Sequence, residues 1–552
     1  MPPQRPEPGD DSPAAAAVSR REFVREVGLA GVAMAASPMA AAAAADGTPE
    51  QVHLTFGDDP ARTLFASWAS PGRALHPRVL LDSGHGAAVI HARERTYTDG
   101  MNGQRVFTYH AKLDGLRSDS TYRYTITADN GRAPFSASFR TAPTGRVAFR
   151  WTSFGDLATP VSTWTLSSPQ SRHAVDAVER FQPLFHLMNG DLCYANLNPQ
   201  AQPAVWADFG NNAQRSASLR PWMPCPGNHE IEFGNGEHGL DAYLTRYSLP
   251  DNGTRFPGSW YSFRVGSALF ISLAADDVVY QNSGAFHAGP GPLASAAGRP
   301  IDAGTSLYLR GYSGGAQTRW LAATLAAASR DPGIDWIIVQ MHQDALSSSR
   351  HGNGSDKGIR EQWLPLFDRY GVDLVLCGHD HDYERSWPVR GCNHGVGRDA
   401  VTGAAVDTCQ PRPVITAEPA DGRYDTRQGT VHLILGGGGT SSPLDRYGQD
   451  SPTGALLAKV ITRANHPRPG AIAGVFVKPG ADAVEEAIWS ARRDTQTGYG
   501  IGVFDLDPGT PGGRTSITMR YYHALGADRV PTPDYQLFDT IVLSKPRREA
   551  SA

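Results

Sequence analysis

The pattern of apolar and polar positions changes character once along the ordered part of the chain. From about Gln51 to Pro143 the two classes alternate over short runs, as in Thr63–Ala69 (TLFASWA), Arg105–Leu113 (RVFTYHAKL) and Thr121–Thr127 (TYRYTIT). Each run is bounded by Gly, Asp, Ser or Pro. Alternation of period two puts every second side chain on one face, which marks half-buried strands. No helical period interrupts it, so residues 46–145 are expected to form an all-β sandwich with Trp68 in its core.

From Val147 the texture differs. Val147–Phe154 (VAFRWTSF), Pro183–Met188 (PLFHLM), Ala268–Leu273 (ALFISL), Asp335–Met341 (DWIIVQM) and Val372–Cys377 (VDLVLC) are near-continuous apolar runs that read as buried strands. Arg172–Arg180, Gln317–Ser329 and Ile359–Tyr370 carry helical spacing between them. Strand–helix alternation predicts an α/β layered domain over residues 146–545. Two polar, Gly/Pro-rich stretches, 386–428 and 440–497, read as loops inserted between late strands.

Residues 1–45 are expected to lie outside the fold. Ser19-Arg20-Arg21-Glu22-Phe23-Val24 is a twin-arginine sequence, followed by an apolar stretch from Val27 to Ala36 and an Ala-rich run ending at Ala45. That order fits a cleaved export signal, so the mature protein is expected to be secreted, periplasmic or associated with the cell wall. No later stretch approaches the ~20 apolar residues of a membrane span. With a net charge of -4, no basic surface advertises a nucleic-acid partner. The five cysteines, at 193, 225, 377, 392 and 409, contain no C-x-x-C pair. Cys377 ends an apolar strand and reads as a buried thiol, while pairing among Cys193, Cys225, Cys392 and Cys409 stays open, Cys392–Cys409 being one choice.

The chemistry gathers at strand ends. Gly155-Asp156 follows the first apolar run, and Gly190-Asp191-Leu192-Cys193-Tyr194 the second. Gly227-Asn228-His229-Glu230 follows Trp222–Pro226, Val339-Gln340-Met341-His342 ends another run, and Gly378-His379-Asp380-His381 follows Val372–Cys377. The ends of parallel strands are where an open α/β sheet collects its ligands. Carboxylate, amide, imidazole and phenol donors together suit divalent or trivalent transition metals, and several carboxylates can hold two ions at once. A phenolate favours a hard, highly charged ion. Gly436–Gly439, after the strand-like Thr430–Leu435, lacks the Lys-Ser/Thr of a nucleotide P-loop and is expected to let the chain pass close to this site.

In this order the motifs GD, GDxxY, GNHE, VxxH and GHxH resemble the metallophosphoesterase (calcineurin-like) superfamily, and the tyrosine of GDxxY narrows the resemblance to the purple acid phosphatases. The likeness covers about residues 50–545, because larger members of that family also carry an N-terminal fibronectin type III-like domain. Leu116-x-Ser118-x-Ser120-x-Tyr122 is similar to the tyrosine corner of such domains, with Ser118 where proline is usual. The resemblance implies a catalytic domain with a layered β-sandwich core flanked by helices. It implies a dinuclear centre: Asp156, Tyr194 and His381 on iron(III), Asn228, His342 and His379 on a divalent ion (iron, zinc or manganese), and Asp191 bridging.

The implied activity is that of an acid phosphatase, hydrolysing small phosphate monoesters by attack of a metal-bound hydroxide on phosphorus. His229 matches the family's histidine that contacts phosphate or the leaving group. Two departures stand out. The first motif reads GDL where the family more often has D-x-G, and the pair of adjacent histidines of plant members is absent; His351, in SSSRHGNGSD, is the substitute proton donor expected here. Two other readings compete: a phosphodiesterase acting on nucleotides or phospholipid head groups, and an exported binding or adhesion protein with a vestigial metal centre.

Overall fold

Alternation between Glu50 and Arg140 resolves into two four-stranded antiparallel sheets. One runs in the order Glu50–Phe56, Leu64–Ser70, Arg105–Leu113, Arg93–Thr98, and the other Ala87–His91, Arg78–Asp82, Thr121–Thr127, Phe135–Arg140. Trp68 and Tyr109 from the first share a core with Tyr124, Ile126 and Phe139 from the second. The Tyr122 hydroxyl accepts a hydrogen bond from the Arg117 backbone N–H at 2.8 Å, the clasp expected of a tyrosine corner, so Ser118 serves in place of proline. The computed structural model describes residues 46–82, 86–232, 234–281, 310–399, 405–441, 456–462, 466–467, 476–477, 482–524 and 533–548. The expected export signal falls outside these, as do the side chains of Cys392 and Cys409; Cys193, Cys225 and Cys377 are buried free thiols.

Beyond Val147 two seven-stranded sheets stack face to face. The first runs Trp222–Pro224, Phe185–Met188, Phe149–Phe154, Gly500–Asp507, Arg514–Ala524, Tyr535–Pro546, Arg423–Asp425. The second runs Tyr261–Val265, Ala268–Ser272, Trp336–Gln340, Leu374–Cys377, Val431–Leu435, Tyr383–Ser386, Ser490–Arg493. An aromatic layer joins them: the rings of Trp151 and Phe185 lie 5.3 and 5.0 Å from Phe270 across the interface, both edge-on. Such T-shaped pairs set the electropositive ring edge on the neighbour's π face.

Helices cover the outer faces. Gln170–Phe181 and Gln202–Ala217 bury Val175, Val178, Trp206 and Phe209 in a cluster with Phe154 and Met188. Ala316–Arg330 buries Leu321 and Leu325 against Ile337 and Val339. The expected helix Ile359–Tyr370 is two short ones, Lys357–Gln362 and Leu364–Tyr370. Pro365 is the reason: it fits a first turn, where its missing N–H is not needed, but would break a continuous helix.

The two stretches expected to be loops carry strands instead. Val389–Asp399 and Ala405–Ile415 form a long antiparallel pair, and Leu457–Ile461 and Ala483–Glu486 join them with Ser355–Asp356 in a five-stranded sheet. Their glycines and prolines fall among paired residues, and the ladder shifts register between Arg390 and Asn393, so composition masks the pairing.

Candidate metal centre

All five motif-bearing strand ends open on one side of the stacked sheets. Phe149–Phe154, Phe185–Met188 and Trp222–Pro224 are parallel neighbours in the first sheet, and Trp336–Gln340 and Leu374–Cys377 are parallel neighbours in the second. Their C-terminal ends therefore deliver Asp156, Asp191, Tyr194, Asn228, His342, His379 and His381 to a common place from two layers.

Two donor groups form there. The Tyr194 hydroxyl lies 3.0 Å from Asp156 Oδ1 and 3.1 Å from His381 Nε2, and the latter pair are 3.4 Å apart. Asp191 Oδ2 lies 2.9 Å from His342 Nε2, which is 3.2 Å from His379 Nδ1. Adjacent ligands of a six-coordinate ion with bonds of about 2.1 Å stand about 3 Å apart, so both groups have coordination spacing. Asn228 Oδ1 is buried with no hydrogen-bond partner, an orphaned acceptor that a cation would satisfy. The donor set fits metal.

Ring tautomers are set from behind. His342 Nδ1 donates to the Asn189 carbonyl at 2.7 Å, leaving Nε2 to face Asp191. His379 Nε2 donates to Gln281 Oε1 at 2.6 Å, leaving Nδ1 to face His342. Outer partners of this kind orient imidazoles for coordination.

Backbone conformation is equally committed. Asp156, Asp191, Tyr194 and His379 have φ of 59°, 49°, 60° and 69°. The left-handed region costs a non-glycine residue about 1–3 kcal/mol and persists only where the surroundings enforce it. Here they do. The Glu230 carboxylate accepts from the backbone N–H groups of Asp191, Leu192 and Gly227 at 2.9, 2.8 and 2.8 Å, tying two donor loops together. A Cβ at Gly378 would overlap Asp156 Oδ2, and one at Gly227 would overlap Asp191 Oδ1, so the motif glycines supply the space the carboxylates occupy. The glycine run acts similarly: Gly438 and Gly439 donate to the carbonyls of Gly155 and Asp156, both at 3.0 Å.

The charges within the cluster set the protonation of its donors. Burial would lower the His342 imidazolium, but the carboxylates of Asp191 and Asp156 push it up to about 10. Asp191 is held below the usual carboxylate range: burial, which would raise it, is outweighed by His342 and His229. Burial, reinforced by Asp156 and Asp191, pushes the Tyr194 phenol well up. A cation held here would take the place of the protons on His342 and Tyr194.

His229 lies on the open side. Its Nδ1 meets Asn196 Oδ1 at 2.8 Å, its ring packs on Tyr194 at 4.5 Å, and its Nε2 is 3.9 Å from Asp191 Oδ2. Burial lowers it to about 4. His351 is exposed, on a loop fastened beside the centre: Asp380 accepts from Ser347 Oγ and from the N–H groups of Asn353 and Gly354. Sequence reasoning missed Glu230, Asn196 and Gln281 as supports. Glu230 lay inside the GNHE motif, whereas Asn196 and Gln281 belong to none.

Residues 154–383 match the family described as Calcineurin-like phosphoesterase, and residues 49–142 the Purple acid Phosphatase N-terminal domain. An uncharacterized protein of Mycobacterium tuberculosis is 42% identical over 515 residues, 90% of this chain and 87% of its own. The Fe(3+)-Zn(2+) purple acid phosphatase 12 of Arabidopsis thaliana is 26% identical over 404 residues, 72% of this chain and 73% of its own.

The chain belongs to the purple acid phosphatases.

This purple acid phosphatase is thus a phosphoester hydrolase of a metal-dependent family. Its fold is shared with the purple acid phosphatase from yellow lupin seeds, with a TM-score of 0.60 at 18% identity over 91% of this chain and 75% of that one. Among the described residues no helix is long and apolar enough to cross a membrane.

Proposed function

We propose that this chain hydrolyses phosphate monoesters at a dinuclear centre. Asp156, Tyr194 and His381 would hold iron(III), Asn228, His342 and His379 a divalent iron, zinc or manganese ion, and Asp191 both. The observation that carries this reading is the pair of donor groups at coordination spacing, with Asn228 Oδ1 left without a partner beside them. Two bound cations would neutralise phosphoryl charge and acidify water.

The chain's own residues do the rest. Asn196 orients His229 so that Nε2 faces the cluster. Neutral at rest, that nitrogen gains basicity when a phosphoryl dianion lies beside it, and can hold the proton that the departing alkoxide needs. His351, on the loop that Asp380 fastens, is a second proton donor for substrates that reach outward. Export through the twin-arginine route completes the proposal, supported by Ser19–Val24 and the apolar run behind it.

The test is metal content, visible spectrum and turnover of chromogenic mono- and diesters by the mature protein. Two metals per chain including iron, a tyrosinate band and preference for the monoester are expected. An Asp191→Ala protein with full activity and metal content would sink the assignment.

A further inference from the structure

A wide cleft lies away from the metal centre and contains none of its donors. Its volume, about 570 Å³, is that of a small-molecule site. One wall is the sandwich edge strand Arg93–Thr98, which points Arg93 and Arg95 into the cleft from alternate positions on one face. The other wall belongs to the catalytic domain and presents Arg255, His238 and the rings of Phe256 and Tyr312.

Three guanidinium groups line this space, and among the described residues none of them has an ion-pair partner. Arg95 donates to two backbone carbonyls, of Leu244 and Tyr247, at 3.3 and 3.0 Å, which fixes its position without neutralising it. Arg255 lies over the Phe256 ring at 4.7 Å. Two carboxylates share the lining, Asp241 and Glu237, the latter with 89% of its side chain exposed and 3.9 Å from the His238 ring. Three guanidinium groups outnumber the two carboxylates of the lining, and an anion relieves the excess of positive charge. The rings add a second preference. Phe256 and Tyr312 meet edge to face at 5.5 Å, and His238 packs on Tyr312 at 4.9 Å, making an aromatic corner beside the cationic wall.

We propose that this interdomain cleft binds a small planar organic anion, its oxyanion held by Arg93, Arg95 and Arg255 and its ring set into the corner between Phe256 and Tyr312. Guanidinium groups suit oxyanions because their planar forks donate two parallel hydrogen bonds. Because the walls come from both domains, the ligand bridges them.

Phenylphosphonate is the probe, since its C–P bond is not a phosphoester, titrated calorimetrically into the metal-loaded protein beside inorganic phosphate. The expected result is a binding event that weakens about tenfold or more in an Arg93→Ala/Arg255→Ala double variant, as loss of charge-assisted hydrogen bonds implies. Phosphate, lacking a ring, is expected to bind that site more weakly. Both arginines are exposed and make no side-chain hydrogen bonds among the described residues, so the variant is expected to fold. Binding at the metal centre persists in the double variant and is thereby told apart. Isotherms unchanged by the double substitution would overturn the proposal, and phosphate binding the cleft as tightly as phenylphosphonate would overturn its aromatic half.

Discussion

Gln281 holds His379 from behind: its Oε1 accepts the Nε2 proton at 2.6 Å, while its own backbone N–H is anchored on Asp356 Oδ2 at 2.8 Å. Removing that acceptor frees the ring to rotate and to exchange tautomers. Gln281→Ala is expected to weaken metal retention at the His379 position about 10- to 100-fold. Metal content after dialysis against graded chelator measures it, and Gln281→Glu, which keeps an acceptor, is expected to restore retention.

On the proposed assignment Tyr194 would give the centre its spectroscopic handle. Tyr194→Phe removes the hydroxyl that meets both Asp156 and His381 but leaves the ring packed on His229. A folded protein without the visible band is expected, with less iron by elemental analysis. A band that persisted would mean that the colour has another origin.

Glu230 is a structural clamp. Glu230→Ala leaves the N–H groups of Asp191, Leu192 and Gly227 buried without an acceptor, each costing about 1–3 kcal/mol. Chemical denaturation is expected to show the loss, together with metal release before global unfolding.

Glu232 makes stability depend on pH. Burial pushes it up to about 7, against the hydrogen bonds from Trp206 and Asn235. Its unfolded value is near 4.5, so the folded state binds the proton more tightly. Its stabilising contribution is therefore full below about pH 4.5 and lost as pH rises to about 7. Over that window wild type is expected to lose stability relative to Glu232→Gln, by on the order of 3 kcal/mol. Equal slopes in the two proteins' denaturation midpoints against pH would refute it.

Strand-end motifs made the centre legible in sequence, because a polar side chain just past an apolar run is a local signal. Supports such as Gln281 were not, since one glutamine in a loop has no pattern and acquires its role only when a residue 98 positions away comes to face it. The sheets divide in the same way. A local apolar run identified Val147–Phe154 as a strand, but the antiparallel pairing of Phe149–Phe154 with Gly500–Asp507, which sets Trp151 opposite Phe504, joins residues too far apart for any local pattern to register. Glycine and proline within Val389–Asp399 and Ala405–Ile415 hid a ladder that pairing, not propensity, sustains.

The left-handed backbone at Asp156, Asp191, Tyr194 and His379 gives those positions a second layer of specification. Aspartate and asparagine tolerate that conformation better than most residues, whereas a β-branched side chain is a genuine outlier there. Exchange at Asp191 therefore tests two things at once, the oxygen removed and the dihedral angle the newcomer must accept. Valine would evict the loop as well as the ligand, while asparagine changes the charge and leaves the path of the chain alone. The coordination pattern is thus inscribed in the main chain, and grafting the same seven side chains onto a relaxed loop would not reproduce it.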